Sequence, residues 1–303
     1  MDQFDQLFDQ LQKCCPGMEL LKQEPMARHT TFRIGGPVPL MARPTNEEQV
    51  LACVRLAREN QIPLVVLGNG SNLLVADEGV QAFVLDMTGL SRLERTGERE
   101  ITVGAGVTLA RLASFAAGEG LTGLEFAGGI PGTLGGAVMM NAGAYGGEMV
   151  QVVRRTRCLT HEGTVKEIIG EEHDFSYRHS VFSQGKDVIL SSVLELEPGQ
   201  EENIRAQMAE LAQKRRSKQP LEYPSAGSMF KRPQGYFAAA LIDQCGLKGF
   251  TVGGAQVSEK HAGFLINRGG ATCADVLELA DQVRQEVLRQ TGVELELEIR
   301  VLG

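Results

Sequence analysis

The sequence lacks several features that would place it in a functional class directly. No apolar run approaches the roughly 18 residues of a membrane-spanning helix, so no membrane partner is expected. Acidic residues outnumber basic ones by 38 to 30, and a net charge of −8 argues against non-specific binding to nucleic acid or anionic lipid. The five histidines show no metal-ligand spacing, so no metal site is predicted.

The sequence also lacks a CxxC motif and a signal peptide. The six cysteines are scattered along 303 residues without a CxxC pair, which is typical of reduced thiols. The N-terminus is acidic and amphipathic, with Phe4, Leu7, Phe8 and Leu11 at helical spacing. It lacks the basic start and the continuous apolar core of a secretory signal. These observations predict a cytoplasmic protein.

Glycine, in contrast, is concentrated in one segment of residues 126–148, which reads FAGGIPGTLGGAVMMNAGAYGGE and is called the glycine-rich segment below. A flexible linker would carry Ser and Lys rather than the apolar residues interleaved here. Exposed backbone N–H groups in such a loop can bind phosphate oxygens. The turns at Gly68–Leu73 and Gly104–Leu109 each lack the third glycine of GxGxxG, and no GxxxxGK occurs. The segment therefore favours a ligand-cradling loop outside the two familiar phosphate-binding motifs.

Capping signals and hydrophobic periodicity indicate a mixed α+β architecture. Thr45–Glu48 predicts a capping box at a helix start, and Thr272 predicts the start of a helix that Gly292 ends. A further helix is predicted from about Leu109 to Gly118. The alternation of apolar and charged residues over Val293–Val301 predicts a strand. Strands do not alternate regularly with long helices, which disfavours a doubly wound nucleotide-binding fold.

Three polar positions could carry chemistry, and each has an ordinary structural alternative. Ser228 follows a glycine and precedes a Lys-Arg pair, which suits an anionic substrate but also suits a polar turn. Arg178, between aromatic residues in SYRHSVF, could bind a carboxylate or phosphate, or lie over a ring at the surface. Glu298 belongs to an alternation that usually marks a solvated sheet face. The Lys214–Arg216 cluster most simply complements a helix C-terminus.

Together these blocks resemble the UDP-N-acetylenolpyruvoylglucosamine reductase family, the flavoproteins of peptidoglycan precursor synthesis. The matching blocks run in family order from about Thr30 to the C-terminus: LGNGSNLLV, GIPGTLGGAVMMNAGAYGGE, SYRHSVF, PSAGSMFKRP, GGAQVSEKHAGFLIN and LELEIRVLG. Some members have Lys-Asn-Pro where this chain has Lys-Arg-Pro, so a substrate contact is not carried over to Arg232. The short spacing from Tyr177 to Val193 resembles the shorter form of the family, which lacks an additional substrate-capping loop.

The resemblance implies an α+β fold in which an FAD-binding fold of the vanillyl-alcohol-oxidase (PCMH) type precedes a C-terminal α+β substrate-binding domain. The implied boundaries are residues 1–65 and 66–198 for two FAD-binding subdomains, and residues 199–303 for the substrate-binding domain. Pro198–Gly199, which breaks the preceding strand pattern, marks the second boundary. FAD would be held non-covalently by residues of the first glycine turn and of the glycine-rich segment: Gly68, Asn69, Gly70, Ser71, Asn72, Leu73, Gly129, Ile130, Pro131, Gly132, Thr133, Gly136, Asn141, Gly143 and Ala144.

The resemblance also implies a reaction in two halves. NADPH passes a hydride to FAD, and the hydride then passes to the methylene carbon of the enolpyruvyl ether of UDP-N-acetylenolpyruvoylglucosamine, which yields UDP-N-acetylmuramate. Arg178, Ser228 and Glu298 match catalytic positions of the family, with Ser228 as the proton donor. Tyr177, Arg215, Lys231 and Arg300 are the implied substrate-binding residues. The expected partners are these small molecules, without nucleic acid.

Two other functions remain open from the residues themselves. A nucleotide-sugar transferase could use the glycine-rich segment to hold a sugar diphosphate. A cofactor-binding or interaction protein could use it without turnover. Bound flavin in the purified protein would favour the reductase over both.

Overall fold

Seven α-helices and eighteen short strands form the fold in the computed structural model, which describes residues 2–303. The helices are α1 Gln3–Cys14, α2 Glu47–Glu59, α3 Leu109–Gly118, α4 Leu134–Met139, α5 Glu201–Lys218, α6 Ala238–Gln244 and α7 Cys273–Thr291. The strands are β1 Glu19–Pro25, β2 Pro37–Arg43, β3 Leu64–Leu67, β4 Leu73–Val75, β5 Phe83–Asp86, β6 Leu93–Arg95, β7 Glu100–Gly104, β8 Leu121–Thr122, β9 Gly143–Ala144, β10 Gly147–Glu148, β11 Val153–Leu159, β12 Val165–Ile169, β13 Val188–Glu195, β14 Glu197–Pro198, β15 Thr251–Val252, β16 Ala255–Val257, β17 Leu265–Asn267 and β18 Arg300–Leu302.

The helix ends follow the capping chemistry of the sequence, with one shift. The predicted box at Thr272 is present: its side chain accepts from the Asp275 amide, and Gly292 ends α7 with a φ of 72°. At α2 the prediction of Thr45 as the cap was wrong, because Asn46 is the N-cap and accepts from the Gln49 amide. The Gln49 side chain in turn accepts from the Thr45 amide at 2.8 Å. Asn is at least as good a cap as Thr, which explains the one-residue shift.

The predicted strand over Val293–Val301 is mostly absent. Only β18, Arg300–Leu302, is a strand, and Leu297 forms an isolated antiparallel bridge with Phe230. The alternation nevertheless predicts burial correctly at Leu295 and Ile299, while Val301 is exposed. An alternating sequence sets which side chains face the core, but a ladder also needs a neighbouring strand along its whole length.

One of two compact units comprises residues 2–22, Leu40–Asn69 and Ala82–Lys214. Its antiparallel five-stranded sheet has the order β12–β11–β13–β7–β6. A four-stranded sheet has the order β1–β2–β5–β3, in which β5 is parallel to β2 and to β3. Helix α4 contacts β13 and β7, and its Leu134 and Val138 are fully buried. Burial of such side chains stabilises the fold by about 1.5–3 kcal/mol each, which fixes the glycine-rich segment to the sheet.

The other unit comprises Gln23–Pro39, Gly70–Gln81 and Arg215–Gly303. Its antiparallel sheet β15–β16–β17 packs against α7, which also contacts α6. Strand β18 pairs in parallel with β4, with Arg300 opposite Leu73. The carboxylate of Asp77, just after β4, accepts from the Cys273 and Ala274 amides at 2.8 and 3.2 Å. An acidic group at this helix start satisfies amides that have no partner within the helix.

These units do not coincide with the predicted boundaries at residues 65 and 198, and the division into two FAD-binding subdomains and a substrate-binding domain stays a prediction. A helix long and apolar enough to cross a membrane is not found among residues 2–303.

The cysteines of the described chain are free thiols, and four of them are buried: Cys15, Cys53, Cys158 and Cys273. Burial raises the pKa of the Cys158 and Cys273 thiols to about 11. These two groups are therefore neutral near pH 7 and poor nucleophiles.

Candidate active site

The turn after β3 meets the glycine-rich segment within the first unit. Asn69 Nδ2 donates to the Pro131 carbonyl at 2.7 Å. A Cβ placed on Gly68 would lie 2.3 Å from Thr133 Oγ1, which is too close for any side chain. Four of the predicted FAD-binding residues, from two distant parts of the sequence, are thus neighbours. The close approach of the Thr133 side chain explains why glycine stands at position 68.

A third segment, between β7 and α3, lies beside the same loop. The Leu109 amide donates to the Gly132 carbonyl, and the Leu134 and Gly135 amides donate to the Val107 and Ala105 carbonyls, all within 2.8–3.0 Å. The first two amides of α4 are therefore already bonded to protein acceptors. A ligand at this loop would have to use other donors, of which the Thr133 hydroxyl is one.

Thr133 Oγ1 is buried and has no hydrogen-bond partner among the described residues. Although Thr133 is the N-cap residue of α4, its side chain makes no capping bond. A buried hydroxyl without a partner costs about 1–3 kcal/mol, so a polar ligand group would recover that cost. A Cβ on Gly136 would meet only this hydroxyl, at 3.9 Å. A polar hydroxyl, a side-chain amide and bare backbone at Gly68, Asn69, Thr133 and Gly136 fit the polar portion of a flavin nucleotide.

Other glycines of the segment are required by packing within the protein. A Cβ on Gly147 would lie 2.4 Å from the Phe126 ring, and one on Gly143 would lie 2.6 Å from the Glu148 side chain. Strands β9 and β10, which contain these two glycines, form a short antiparallel pair. Gly143 therefore has a structural reason to be glycine beside its predicted role at FAD.

Arg178 lies in a tight turn of residues 176–179, called the Arg178 turn below. Ser176 and His179 exchange both backbone hydrogen bonds, at 3.1 and 3.2 Å. Arg178 has a φ of 54°, at the turn position where type II geometry requires a positive value and usually selects glycine or asparagine. Its guanidinium lies 5.0 Å from the ring of Tyr177, which is 49% exposed. The sequence-based alternative, an arginine over a ring, is thus observed, and it is compatible with anion binding.

The second unit brings Ser228 and Glu298 onto paired backbone segments. The Glu298 amide donates to the carbonyl of Met229, next to Ser228, at 2.9 Å. Asn72 Nδ2 donates to the Glu298 carbonyl at 3.2 Å, and the Arg300 amide donates to the Asn72 carbonyl at 2.9 Å. Ser228 is exposed, and the preceding Gly227 has a φ of 79°. Two predicted catalytic residues and one predicted FAD-binding residue therefore share a backbone network.

The predicted substrate-binding residues are placed in both units. Lys231 Nζ forms an ion pair with Glu296 at 2.6 Å, so an incoming anion would compete with a carboxylate. Arg300 begins β18, and Arg215 lies in the last turn of α5. Arg178 and Tyr177 belong to the first unit, whereas the other three belong to the second. No group of three or more His, Cys, Asp or Glu side chains in the described chain could hold a metal ion.

His173, which sequence reasoning did not single out, supports the chain that leads into the Arg178 turn. It is fully buried, stacks on Phe175 with 4.8 Å between ring centroids, and contacts Thr156 Oγ1 through Nε2 at 2.9 Å. Its own carbonyl accepts from the Val181 amide at 2.8 Å. Its sequence neighbours Glu171, Glu172 and Asp174 are acidic, so no local signal marked this histidine as buried.

Burial lowers the pKa of His173 below the ordinary imidazole value. The unfolded chain therefore binds this proton more readily than the folded protein. We expect the free energy of unfolding to fall as pH drops below about 6.5, with a contribution from His173 of at most about 1.4 kcal/mol per pH unit. Denaturant titrations of His173→Phe between pH 7.5 and 5 should show a shallower fall. Replacement of exposed His161 by Gln is the control, and an unchanged slope in His173→Phe would contradict this assignment.

Comparison with known protein families identifies both parts of the chain. Residues 38–169 match the model of an FAD binding domain, and residues 219–302 match the model of the UDP-N-acetylenolpyruvoylglucosamine reductase C-terminal domain. The fold is therefore the FAD-binding fold of the vanillyl-alcohol-oxidase type, and the predicted α+β class is confirmed. A solved alkyldihydroxyacetonephosphate synthase, with a TM-score of 0.52 and 20% identity over 65% of this chain and 44% of that one, supports the fold alone.

Full-length relatives agree with this assignment. The UDP-N-acetylenolpyruvoylglucosamine reductase of Heliobacterium modesticaldum is 49% identical over 93% of this chain and 90% of that protein. The one from Geobacillus thermodenitrificans is 45% identical over 100% and 99%. The crystal structure of the Thermus caldophilus enzyme matches with a TM-score of 0.80 and 36% identity, over 94% of this chain and 99% of that one. The chain belongs to the UDP-N-acetylenolpyruvoylglucosamine reductase family and is an FAD-dependent oxidoreductase of peptidoglycan precursor synthesis.

Proposed function

We propose that the protein uses NADPH to reduce the enolpyruvyl ether of UDP-N-acetylenolpyruvoylglucosamine to UDP-N-acetylmuramate, with Ser228 as the proton donor. The observation that supports this most directly is the backbone network of the second unit. It links the segment next to Ser228 with Glu298 and Asn72. The names of the full-length relatives support the substrate. A cytoplasmic location is part of the same proposal.

FAD, when bound, supplies the capacity to accept a hydride from a nicotinamide and to donate one to an alkene carbon. In the first unit, Gly68, Asn69, Thr133 and Gly136 are the proposed contacts. The two glycines lie beside the Thr133 hydroxyl, which lacks a partner, and Asn69 is bonded to the same loop at Pro131. The remaining proposed contacts are the other predicted positions of the first turn and of the glycine-rich segment, apart from Asn141, whose side chain is bonded to protein partners.

Ser228 would complete the addition of hydrogen across the alkene. When hydride adds to the methylene carbon, the electron pair of the double bond moves to the adjacent carbon and onto the oxygens of the attached carboxylate. Ser228 Oγ then gives its proton to that carbon and recovers one from solvent, which reaches it because the residue is exposed. A serine hydroxyl is a weak acid, and only a strongly basic carbon acceptor makes this transfer favourable.

Arg178 and Glu298 would stabilise the charge that develops on the substrate carboxylate. A guanidinium presents two parallel N–H donors to a carboxylate, and its charge is permanent. Glu298 can contribute only when protonated, because only the neutral carboxyl group can donate a hydrogen bond. Lys231, Arg215 and Arg300 are the proposed cations for the UDP diphosphate, and phosphate binding at Lys231 would displace or share its ion pair with Glu296.

The test combines cofactor binding with product analysis. Purified protein should retain or rebind FAD, and anaerobic oxidation of more than one NADPH per flavin should require added UDP-N-acetylenolpyruvoylglucosamine. Mass spectrometry should show a product with two more hydrogen atoms than the substrate. UDP-N-acetylglucosamine, which has no enolpyruvyl group, is the control and should not stimulate NADPH oxidation. Protein that neither retains nor rebinds FAD, or that leaves the enolpyruvyl substrate unchanged, would refute the proposal.

A further inference from the structure

Asn141, a predicted FAD-binding residue, uses its side chain entirely within the protein. It is 1% exposed and has a φ of 43°. Its Oδ1 accepts from the Val150 amide at 2.9 Å. Its Nδ2 donates to Glu148 Oε2 and to the Ser176 carbonyl, both at 3.1 Å. One buried amide therefore bonds the glycine-rich segment, the following turn and the first residue of the Arg178 turn.

A second attachment lies just after the Arg178 turn. Ser180 Oγ and Ser183 Oγ both donate to the Met139 carbonyl, at 2.7 and 2.8 Å. Met139 ends α4, only two residues before Asn141. The Arg178 turn is thus attached on one side to Asn141, just beyond α4, and on the other side to Met139, the last residue of α4.

The turn needs such support because Arg178 holds a backbone conformation, with a φ of 54°, that L residues rarely adopt. Conformations of this kind persist only where surrounding structure fixes them, and they are common at functional sites. The exchange of backbone hydrogen bonds between Ser176 and His179 closes the turn. The Ser176 carbonyl both closes the turn and attaches it to the glycine-rich segment, since it accepts from the His179 amide and from Asn141 Nδ2.

We propose that Asn141 is a positioning residue for Arg178, so that the arginine and the glycine-rich segment move as one piece. Asn141 contacts neither substrate nor the reacting atoms in this assignment, and it acts through the Ser176 carbonyl. The inference rests on the proposed function for the role of Arg178 at the substrate. Its mechanical part, the support of the turn by Asn141, can be tested without turnover.

Asn141→Asp separates the two halves of the side chain. Aspartate also tolerates a positive φ, and its carboxylate still accepts from the Val150 amide. It has no N–H groups, however, and therefore faces the Ser176 carbonyl and the Glu148 carboxylate without a donor. The Asn141→Asp, Glu148→Gln double variant restores a donor toward position 141, from the introduced side-chain amide, but leaves the Ser176 carbonyl without its partner.

The first measurement is amide hydrogen exchange of the protein without added nucleotides. In Asn141→Asp, peptides that cover residues 174–182 should exchange about 10-fold faster or more, because a local opening has become easier, while peptides of β11 and β13 keep the wild-type rate. In the double variant, the amides of residues 174–182 should still exchange faster than in the wild type. Ser183→Ala, which removes a milder attachment of the same turn, should show a smaller acceleration even if the Asn141 variants fold poorly. If these peptides exchanged their amide hydrogens at the wild-type rate in Ser183→Ala and in the Asn141 variants, the proposal would be overturned.

The second measurement separates the two half-reactions. In Asn141→Asp, NADPH should bleach the flavin absorbance at close to the wild-type rate, whereas its recovery with enolpyruvyl substrate should slow by about 10²-fold, as expected for a misplaced substrate contact. Equal slowing of both half-reactions would overturn the positioning role. A wild-type rate of absorbance recovery in the double variant would overturn it as well. If wild-type protein shows fast NADPH bleaching without substrate-dependent recovery, the proposed function fails while the exchange result still decides the mechanical part.

Discussion

Ser228→Ala is expected to leave bleaching of the bound flavin by NADPH nearly unchanged and to slow substrate-dependent recovery of the absorbance by about 10²- to 10⁴-fold. The reason is that the hydroxyl acts only after the hydride has reached the substrate. The first half-reaction needs no proton from the protein at this carbon. Rapid-mixing absorbance measurements of the two halves give the two rates separately.

Ser225→Ala is a matched control for this variant. The substitution removes a serine hydroxyl from the same segment. The backbone carbonyl of residue 225, which accepts from Thr31 Oγ1 at 2.7 Å, is unaffected by the change. Both half-reactions should proceed in Ser225→Ala at rates close to those of the wild type. If Ser228→Ala slowed both halves equally, its effect would be on cofactor placement, and the assignment of Ser228 as proton donor would be wrong.

Arg178→Lys is expected to slow substrate-dependent flavin recovery by about 10²- to 10³-fold, the usual cost of removing one donor to a developing negative charge. Lysine keeps the positive charge and is equally disfavoured at the positive φ of this position, so the turn should be preserved. Lysine lacks the planar pair of N–H donors that the arginine guanidinium presents to a carboxylate. The measurement is the substrate concentration dependence of the recovery rate in rapid mixing.

Arg154→Lys serves as the control for this substitution, because Arg154 pairs with Glu195 on the exposed face of the five-stranded sheet. It should have both half-reactions at wild-type rates. An Arg178→Lys variant with a normal maximal rate and only weaker substrate binding would assign the arginine to ground-state binding. That result would show that Arg178 does not stabilise the charge that develops on the substrate carboxylate.

Local chemistry made much of the fold predictable. The Thr272 cap and the Gly292 stop of α7 are properties of a few adjacent residues, and both are observed. The limits of helix α3, Leu109–Gly118, also follow the sequence prediction. The terminal alternation predicted the buried residues Leu295 and Ile299 but overstated the strand, because strand pairing depends on partners far away in the sequence.

The parts of the site that sequence could not supply are those created by distant contacts. Gly68 and Thr133 are 65 positions apart, and nothing local indicates that one excludes a side chain on the other. Asn141 was a predicted cofactor contact, and its side chain is committed instead to protein partners, including Ser176. The family resemblance indicated which positions matter, whereas the structure indicates how some of them are held.

The most direct test of the central claim is an anaerobic double-mixing experiment on the FAD-loaded wild-type protein. NADPH should first bleach the flavin absorbance, and UDP-N-acetylenolpyruvoylglucosamine should then restore it, with one molecule of UDP-N-acetylmuramate formed for each flavin restored. Absorbance that returns only when oxygen is admitted, with the enolpyruvyl substrate recovered intact, would contradict the account.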